Sequence, residues 1–452
     1  MVELERGSLS FKIWKRIKIK RVRVPDILCI PCGMRVESRA KSKLEVSMSH
    51  SKASEERGWD FGLNDDDLVA FVQCTRISEE PTAWEASDLV QYLNVGEMRR
   101  AYSGGGVSSS EAKGAQEGFE IRVTWPTAVA SADGEVVAVE DARIKYRRSS
   151  DGRMLTVQRS KGGVGLQPQV SVGDTVVAGQ FLASAVPIHR TVPCRGGRDH
   201  DSYAELLRSS SLSDRYTAAK ALSHLDADST TSLLAAKAAD EAEHIYVRLE
   251  AAAGLMKRDD ERGRRFIQTC LGADYLEHRL EGVIVLGEVA GTASYNLLLR
   301  TLNDARQDPE IRAGAAWSIG ELGERSALDA LVRCFAGVDE PIRAEAARAL
   351  LKLGRNFPGD VAATLGRTDA ERRPGVAWAL SRLDHVDIER LTRELVDDDA
   401  RRWVAYVVGA HHPERYVGEI EKLREADNEV YFAVTVLWNI FQSWVSKLDE
   451  HL

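Results

Sequence analysis

Two carboxylates and two cations near the N-terminus have a spacing suited to metal-assisted phosphodiester chemistry. Asp26 follows Pro25, ten residues separate it from Glu37, and Arg39 and Lys41 follow at every second position. A strand has period two, so Glu37, Arg39 and Lys41 share one face. A tight turn at Pro31 to Gly33 between two strands would carry Asp26 alongside Glu37. Side-by-side carboxylates offer hard oxygen ligands to Mg2+ or Mn2+. Such an ion polarises a phosphate and acidifies a water. A cation beside the second carboxylate orients that water or holds developing charge. Arginine does not deprotonate in this role, so Lys41 is the candidate where a lysine is needed. The metal ligands expected are Asp26 and Glu37, with Arg39 and Lys41 completing the catalytic set. The other reading of the same residues is an ordinary hairpin with surface charges.

A basic run precedes this hairpin. Residues 1–43 contain twelve Lys or Arg and four Asp or Glu, against a whole-chain net charge of −8. That local excess of eight positive charges leaves −16 on the remaining 409 residues. A basic arm on an acidic body points to a polyanion partner. The nucleic-acid-binding positions expected are Lys12, Lys15, Arg16, Lys18, Lys20, Arg21 and Arg23. The alternative is a solvated strand face, because Ile17, Ile19, Val22 and Val24 alternate with the cations. Cys29-x-x-Cys32-Gly33 is half of a zinc knuckle. His50 and Cys74 are the nearby residues that could complete it, and the lack of a second pair argues against zinc. The acidic run Asp65-Asp66-Asp67, in a loop with Trp59 and Asp60, reads as solvated sooner than as extra ligands.

The elements carrying these residues divide the chain. A length of 452 residues predicts two to four domains. At 44% hydrophobic and 29% charged, the chain forms a core and is not mainly disordered. Its longest nearly apolar run, Tyr431 to Phe441, is far short of the roughly 20 residues of a spanning helix. The first 20 residues carry charge throughout, so no secretory signal is expected. With six cysteines in the whole chain, the expected location is the cytoplasm. Asp67 to Cys74 reads as a buried strand, Ser42 to Ser49 as an extension of the preceding one, and Trp84 to Leu93 as helical. An α/β domain with a mixed sheet is expected over 1–102 and a linker over 103–118, from the glycine and serine cluster. A β-rich module is expected over 119–190.

The second half repeats itself. An arginine recurs at 215, 248, 279, 312, 343, 373 and 402, with steps of 29 to 33 residues. Each unit holds two apolar helical patches around a polar turn, with small residues after the arginine that let helices approach closely. An all-α solenoid of about eight repeats is expected over 203–452, capped by 427–452. The arginines are expected to cap or bridge carboxylates of adjacent turns. Trp317 and Trp378, each five residues after its arginine, are expected in the core.

Three resemblances attach to these segments. The phrases Glu310-Ile-Arg-Ala-Gly-Ala-Ala-Trp and Pro341-Ile-Arg-Ala-Glu-Ala-Ala-Arg resemble the short HEAT-like repeats of bilin-lyase-type proteins. That resemblance implies a fold whose stacked helix pairs bind other macromolecules. The Asp26–Glu37 hairpin resembles the active-site hairpin of the PD-(D/E)XK nuclease superfamily, departing from it in having Arg39 where that family has lysine. This implies a metal-dependent nuclease, or a degenerate head that only grips nucleic-acid backbone. Val170-Ser-Val-Gly-Asp-Thr-Val-Val-Ala-Gly-Gln-Phe-Leu-Ala183 resembles barrel-sandwich-hybrid modules. Carriers of that type need a lysine at the hairpin tip, and residues 147–153 contain none, so a structural or docking role is implied.

Three functions follow as expectations. The first is a DNA-acting protein with a nuclease-like head and a HEAT scaffold holding a protein partner, an architecture that suits prokaryotic genome defence by analogy. The second is a non-enzymatic HEAT-repeat adaptor. A small-ligand lyase using the solenoid groove is a third. The acidic second half makes a protein the better partner for the solenoid.

Overall fold

The computed structural model describes residues 1–4, 17, 22–77, 84–111, 119–337 and 339–449. Lys12, Lys15, Arg16, Lys18, Lys20 and Arg21 lie outside the described residues, whereas Arg23 is described and exposed. The chain forms two compact units, one built on 1–4 and 22–230, the other on Ile17 and 231–449. Among the described residues no helix is long and apolar enough to cross a membrane.

The first unit opens with a five-stranded mixed sheet in the order β1 (Val2–Glu3), β2 (Ile27–Leu28), β3 (Arg35–Lys41), β5 (Leu68–Arg76), β6 (Trp84–Asn94). The hairpin is present, with Ile27 opposite Val36 and Leu28 opposite Arg35. Gly33, at φ +73°, makes its turn, a conformation that favours glycine. β3 and β5 run parallel. The apolar run of β5 suits a strand buried on both faces. Val69 and Phe71 enter one core with Trp59, Leu93 and Trp125, while Leu68 and Ala70 enter another with Val36.

Trp84 to Leu93 is strand β6, not the helix expected. It pairs antiparallel with β5 from Leu68↔Asn94 to Arg76↔Trp84. Alternation decides the matter: Val90 and Tyr92 pack on one face and Leu93 on the other. Gln91 is fully buried, donating to the Gly179 carbonyl at 3.1 Å and accepting from the Phe181 N–H at 2.7 Å. Cross-strand partners thus override the segment's modest local preference. α1 (Val95–Ser103) follows, its Asn94 cap accepting from the Glu97 N–H.

The expected linker does not separate two bodies. β7 (Ser108–Glu111) and β4 (Val46–Ser51) flank β8 (Glu120–Trp125) in a second sheet. Ile121, Val123 and Trp125 of β8 complete the core around Phe71. β8, expected to open the β-module, therefore belongs to the first domain. β4 is likewise not a continuation of β3, because its partner is β8.

Beyond β8 lie β9 (Thr127–Val129), β10 (Gly134–Val139), β11 (Arg143–Arg148), β12 (Met154–Gln158), β13 (Ser160–Lys161), β14 (Val164–Gly165), β15 (Gln167–Pro168), β16 (Thr175–Val176) and β17 (Phe181–Ser184). A four-stranded sheet, β12-β11-β10-β16, and a three-stranded one, β15-β17-β9, share a core of Val136, Ile144, Tyr146, Val176 and Leu182. These strands form a β-rich part of the first unit, and Phe181 and Val186 pack into the core around Phe71.

Two helices, α2 (His200–Leu206) and α3 (Leu212–Leu222), end the first unit, so the helical region begins there and not in the second unit. The second unit holds α4 (Thr230–Ala239), α5 (Ile245–Met256), α6 (Glu261–Leu271), α7 (Leu276–Glu288), α8 (Thr292–Asn303) and α9 (Pro309–Leu322). It continues with α10 (Leu328–Arg333), α11 (Glu340–Asn356), α12 (Pro358–Arg367), α13 (Arg373–Leu380), α14 (Ile388–Thr392), α15 (Asp398–Gly409), α16 (Ile420–Ala426) and α17 (Asn428–Asp449). The second helices of the pairs, α5, α7, α9, α11, α13, α15 and α17, pack successively into one layer.

The arginine period has a structural cause. Arg248, Arg312 and Arg373 donate through Nε to carbonyls at the C-termini of the preceding helices, Ala238, Leu302 and Leu365, at 2.9–3.0 Å. A cation there satisfies carbonyls that have no intrahelical partner. Arg312 reaches on to Asp339 at 3.6 Å, and Arg373 to Asp397 at 2.6 Å and Asp399 at 3.0 Å. These carboxylates stand at the start of the second helix of the next repeat, which makes the arginines inter-repeat braces. In the last repeat Arg401, not Arg402, is the brace, with Asp427 at 2.6 Å. Trp317 is buried as expected, while Trp378 is half-buried.

Candidate functional site

The hairpin carboxylates are brought together and then engaged internally. Asp26 precedes β2 directly, so it stands beside Glu37 in the antiparallel register. Its Oδ2 accepts the Ser38 N–H at 2.5 Å. Glu37 is largely buried and ion-paired to Arg39. Lys41 turns away and donates to the Ser47 carbonyl at 3.0 Å. Burial, then the Arg122 and Arg39 charges, hold its ammonium below the usual lysine range. Asp26, by accepting the Ser38 N–H, braces the hairpin, while Glu37 is paired with a guanidinium along its own strand. The acidic loop is engaged in the same way. Asp60 and Asp65 hold Arg99 at 2.7 and 2.5 Å, and Asp67 holds Arg35 at 2.6 Å.

A second group converges where the sequence reading stopped at half a site. Cys29, Cys32 and Cys194 place their sulfurs within 4.8 Å of one another, with Cys29 Sγ and Cys194 Sγ 3.6 Å apart. The β2–β3 turn supplies the first two: the Gly33 N–H donates to the Cys29 carbonyl at 2.7 Å, and the Cys29 N–H to the Met34 carbonyl at 2.8 Å. Cys194 lies on the stretch between β17 and α2. That stretch is tied to the turn by the Arg198 N–H on the Pro31 carbonyl, 3.0 Å, and by the Tyr203 hydroxyl on the Ile30 carbonyl, 2.7 Å. The Arg198 side chain lies over Gly33, where a Cβ would meet its Nε at 2.9 Å. In the thiol state, burial and hydrogen bonds with the other two sulfurs push Cys29 up to about 11. The Gly196 N–H, then the neighbouring thiols, hold Cys194 below its ordinary value. Neither expected completing residue takes part. His50 accepts the Trp59 N–H at 3.3 Å, and Cys74 lies in β5. The signal that could have found Cys194 is Cys194-Arg-Gly-Gly197, a second cysteine followed by turn residues.

The helical layer carries a third feature. Glu250, Glu281 and Glu345 each stand two residues after a repeat arginine, and all three are buried. In the intervening repeat that slot is Gly314, and Glu310, two residues before Arg312, is the buried acid. The Glu310 carboxylate accepts the backbone N–H of Ile17 at 2.8 Å, a residue 293 positions away and outside every repeat. Ile17 is itself buried. The period that exposes the arginines contains this Arg-x-Glu recurrence, so the row was readable from the same alignment of repeats.

Glu345 gives a testable pH dependence. Its Oε1 pairs with Arg348, and its Oε2 has no hydrogen-bond partner among the described residues. Burial pushes its carboxyl above the usual 4.5, with Arg348 opposing. Between 4.5 and the raised value, the folded state therefore holds a proton that the unfolded state has already lost. Stability falls as pH rises from 4.5 through the raised value, and the penalty is complete above it. Glu345→Gln is expected to raise the melting temperature at pH near 7 and to change it little near pH 4. Thermal unfolding at both pH values checks this, and an equal shift at both would reject it.

A model of the HEAT-repeat family matches residues 264–351, the span from α6 into α11. The C-terminal helical region is HEAT-like, and the N-terminal region is sheet-rich. No curated protein matches the chain. Among solved structures, it is similar to the complex of CpcE and CpcF of phycocyanin lyase from a Nostoc species, at 17% identity. That likeness covers 55% of this chain and 97% of that one, with a TM-score of 0.28. It is also similar to an engineered protein, at 19% identity over 55% and 98% with a TM-score of 0.24. Human deoxyhypusine hydroxylase in complex with glycerol is another, at 15% over 54% and 85% with a TM-score of 0.20. The family match lies wholly in the helical array, so the nuclease resemblance of the hairpin gains no support from it.

Proposed function

We propose that this chain is a non-enzymatic scaffold whose HEAT-like array holds extended, basic polypeptide along the buried carboxylates of its layer of second helices. The observation that carries this reading is the Ile17 N–H on Glu310, because a main chain foreign to the repeats is accepted there at 2.8 Å. The residues flanking Ile17 in sequence, Lys15, Arg16, Lys18 and Lys20, have the charge that a row of Glu250, Glu281, Glu310 and Glu345 selects. A partner segment of the same chemistry competes with the Ile17 main chain for Glu310. Protein, not DNA, is the partner the acidic half favours.

The test uses the full chain and a labelled peptide with the sequence of residues 9–24. Binding is expected, and it weakens as salt rises. Hydrogen bonds to charged groups are worth about 1.5–3 kcal/mol each, so a Glu250→Gln, Glu281→Gln, Glu310→Gln triple variant should weaken binding more than tenfold. Affinity unchanged in the triple variant overturns the reading. So does the alternative outcome in a parallel assay: plasmid nicking with Mg2+ or Mn2+ that is lost in Asp26→Ala and Glu37→Ala would restore the nuclease head.

A further inference from the structure

We infer that Cys29, Cys32 and Cys194 form a zinc site, with three thiolates on the ion and a fourth position open to solvent. The spacing of the sulfurs is the first argument. Tetrahedral zinc with Zn–S of about 2.3 Å requires S···S separations of about 3.8 Å. Cys29 and Cys194 stand at 3.6 Å, and all three sulfurs lie within 4.8 Å, so the ion fits with only small movements of side chains. The second argument is support. The Cys29-to-Gly33 turn is closed by its own backbone hydrogen bonds, and Arg198 and Tyr203 dock the Cys194 segment onto it. Ligands held this way by an outer shell are oriented in advance of the metal.

The third argument is chemical class. A soft set of thiolates with no carboxylate selects zinc or copper(I) over Mg2+ and Mn2+. Binding converts three thiols and Zn2+ into a tris-thiolate complex of charge −1 with release of three protons. The Arg198 guanidinium over the turn, and Arg195 beside Cys194 in sequence, offset that charge. The fourth ligand is not His200, since its Nδ1 contacts Asp201 at 3.0 Å and its Nε2 contacts Ser229 at 3.3 Å. The group runs from buried Cys29 to exposed Cys194, so the remaining position faces water. The site has a clear structural consequence. The stretch 191–199 has no helix or strand of its own, and a metal would fasten it to the β2–β3 turn immediately before α2.

The full chain, purified under reducing conditions, loaded with Zn2+ and freed of excess metal, is expected to retain about one zinc by elemental analysis. Cys32→Ser and Cys194→Ser should each lower retention at least tenfold, while a Cys74→Ser, Cys334→Ser double variant should keep it. Circular dichroism confirms that Cys194→Ser, altered at an exposed position, remains folded. Cobalt(II) in place of zinc should give the intense visible bands of a tetrahedral thiolate site, lost in Cys194→Ser. Retention unchanged in Cys194→Ser overturns the assignment. So do a loaded wild-type chain without zinc, copper(I) retained against excess zinc, or a mass two daltons low that locates a disulfide among these cysteines.

Discussion

Arg35→Ala is expected to cost about 3–5 kcal/mol of stability in the first unit, the range found when one partner of a buried ion pair is removed. Arg35 is 3% exposed although it carries a full charge. Its fork donates to both oxygens of Asp67, at 2.8 and 2.6 Å, and to Ser213 at 2.8 Å and Thr217 at 3.3 Å. Asp214 lies 3.6 Å away. One side chain thus fastens β3 to the loop before β5 and to α3, the second helix of the helical region. Truncation leaves Asp67 buried at 4% exposure, with the Asn64 N–H at 2.6 Å as a remaining donor. Arg35→Lys keeps the charge but not the planar fork, so it should recover only part of the loss. The double variant Arg35→Met, Asp67→Leu should recover more than either single one, because replacing both charges removes the stranded carboxylate. Urea unfolding of the four proteins checks this. A loss under 1 kcal/mol for Arg35→Ala would mean that solvent reaches Asp67 and that the fork does not hold α3 in place.

Legibility in the sequence followed the range of the interaction. The repeats were readable because Arg248, Arg312 and Arg373 answer a local demand, the carbonyls at the end of the preceding helix, and that demand recurs with the repeat. The hairpin was readable because Pro31 to Gly33 is a local turn signal. β6 was misread because its apolar residues fall on two faces with different neighbours, information that resides in β5 and in Gln91's partners nearly 90 positions away. The domain boundary was misplaced for a related reason. A cluster of glycine and serine reports local freedom, yet it says nothing about whether the strand beyond it, β8, pairs backwards with β4. Within the candidate sites, Cys29 and Cys32 were visible as a pair, whereas Cys194 is joined to them only by the fold, 165 positions apart. Asp26 and Glu37 fall opposite one another in the hairpin register, as a local turn requires. Their partners, the Ser38 N–H and Arg39, compete with a metal for the same oxygens, and that competition depends on side-chain geometry the motif does not encode.

Close packing of the helical layer supplies the second large effect, and its sign is informative. Gly320 on α9 faces Ala349 on α11, and a Cβ placed on it would stand 2.7 Å from both the Cα and the Cβ of Ala349. Carbon atoms in favourable contact lie about 3.5–4.0 Å apart. Neither Ala349 atom can rotate away, so the two helices must separate. In an isolated helix, Gly→Ala gains about 1 kcal/mol from backbone propensity. At Gly320 that gain is opposed by overpacking worth about 1–3 kcal/mol, and Gly320→Val adds branched methyl groups to the same contact. Gly320→Ala is therefore expected to destabilise, and Gly320→Val to destabilise further. Gly359, exposed in the first turn of α12 with nothing within 4 Å of its added Cβ, is the internal control, where alanine should be neutral or stabilising. Gly287, eight residues after Arg279 as Gly320 is after Arg312, meets Ser318 at 2.9 Å and should behave like Gly320. In a repeat array stability resides largely in interfaces between neighbours. Wedging α9 from α11 should then split thermal unfolding into two transitions, one for the repeats on each side. A single transition shifted upward by Gly320→Ala would show that the layer yields at this contact and that the small residues after each arginine do not set its spacing.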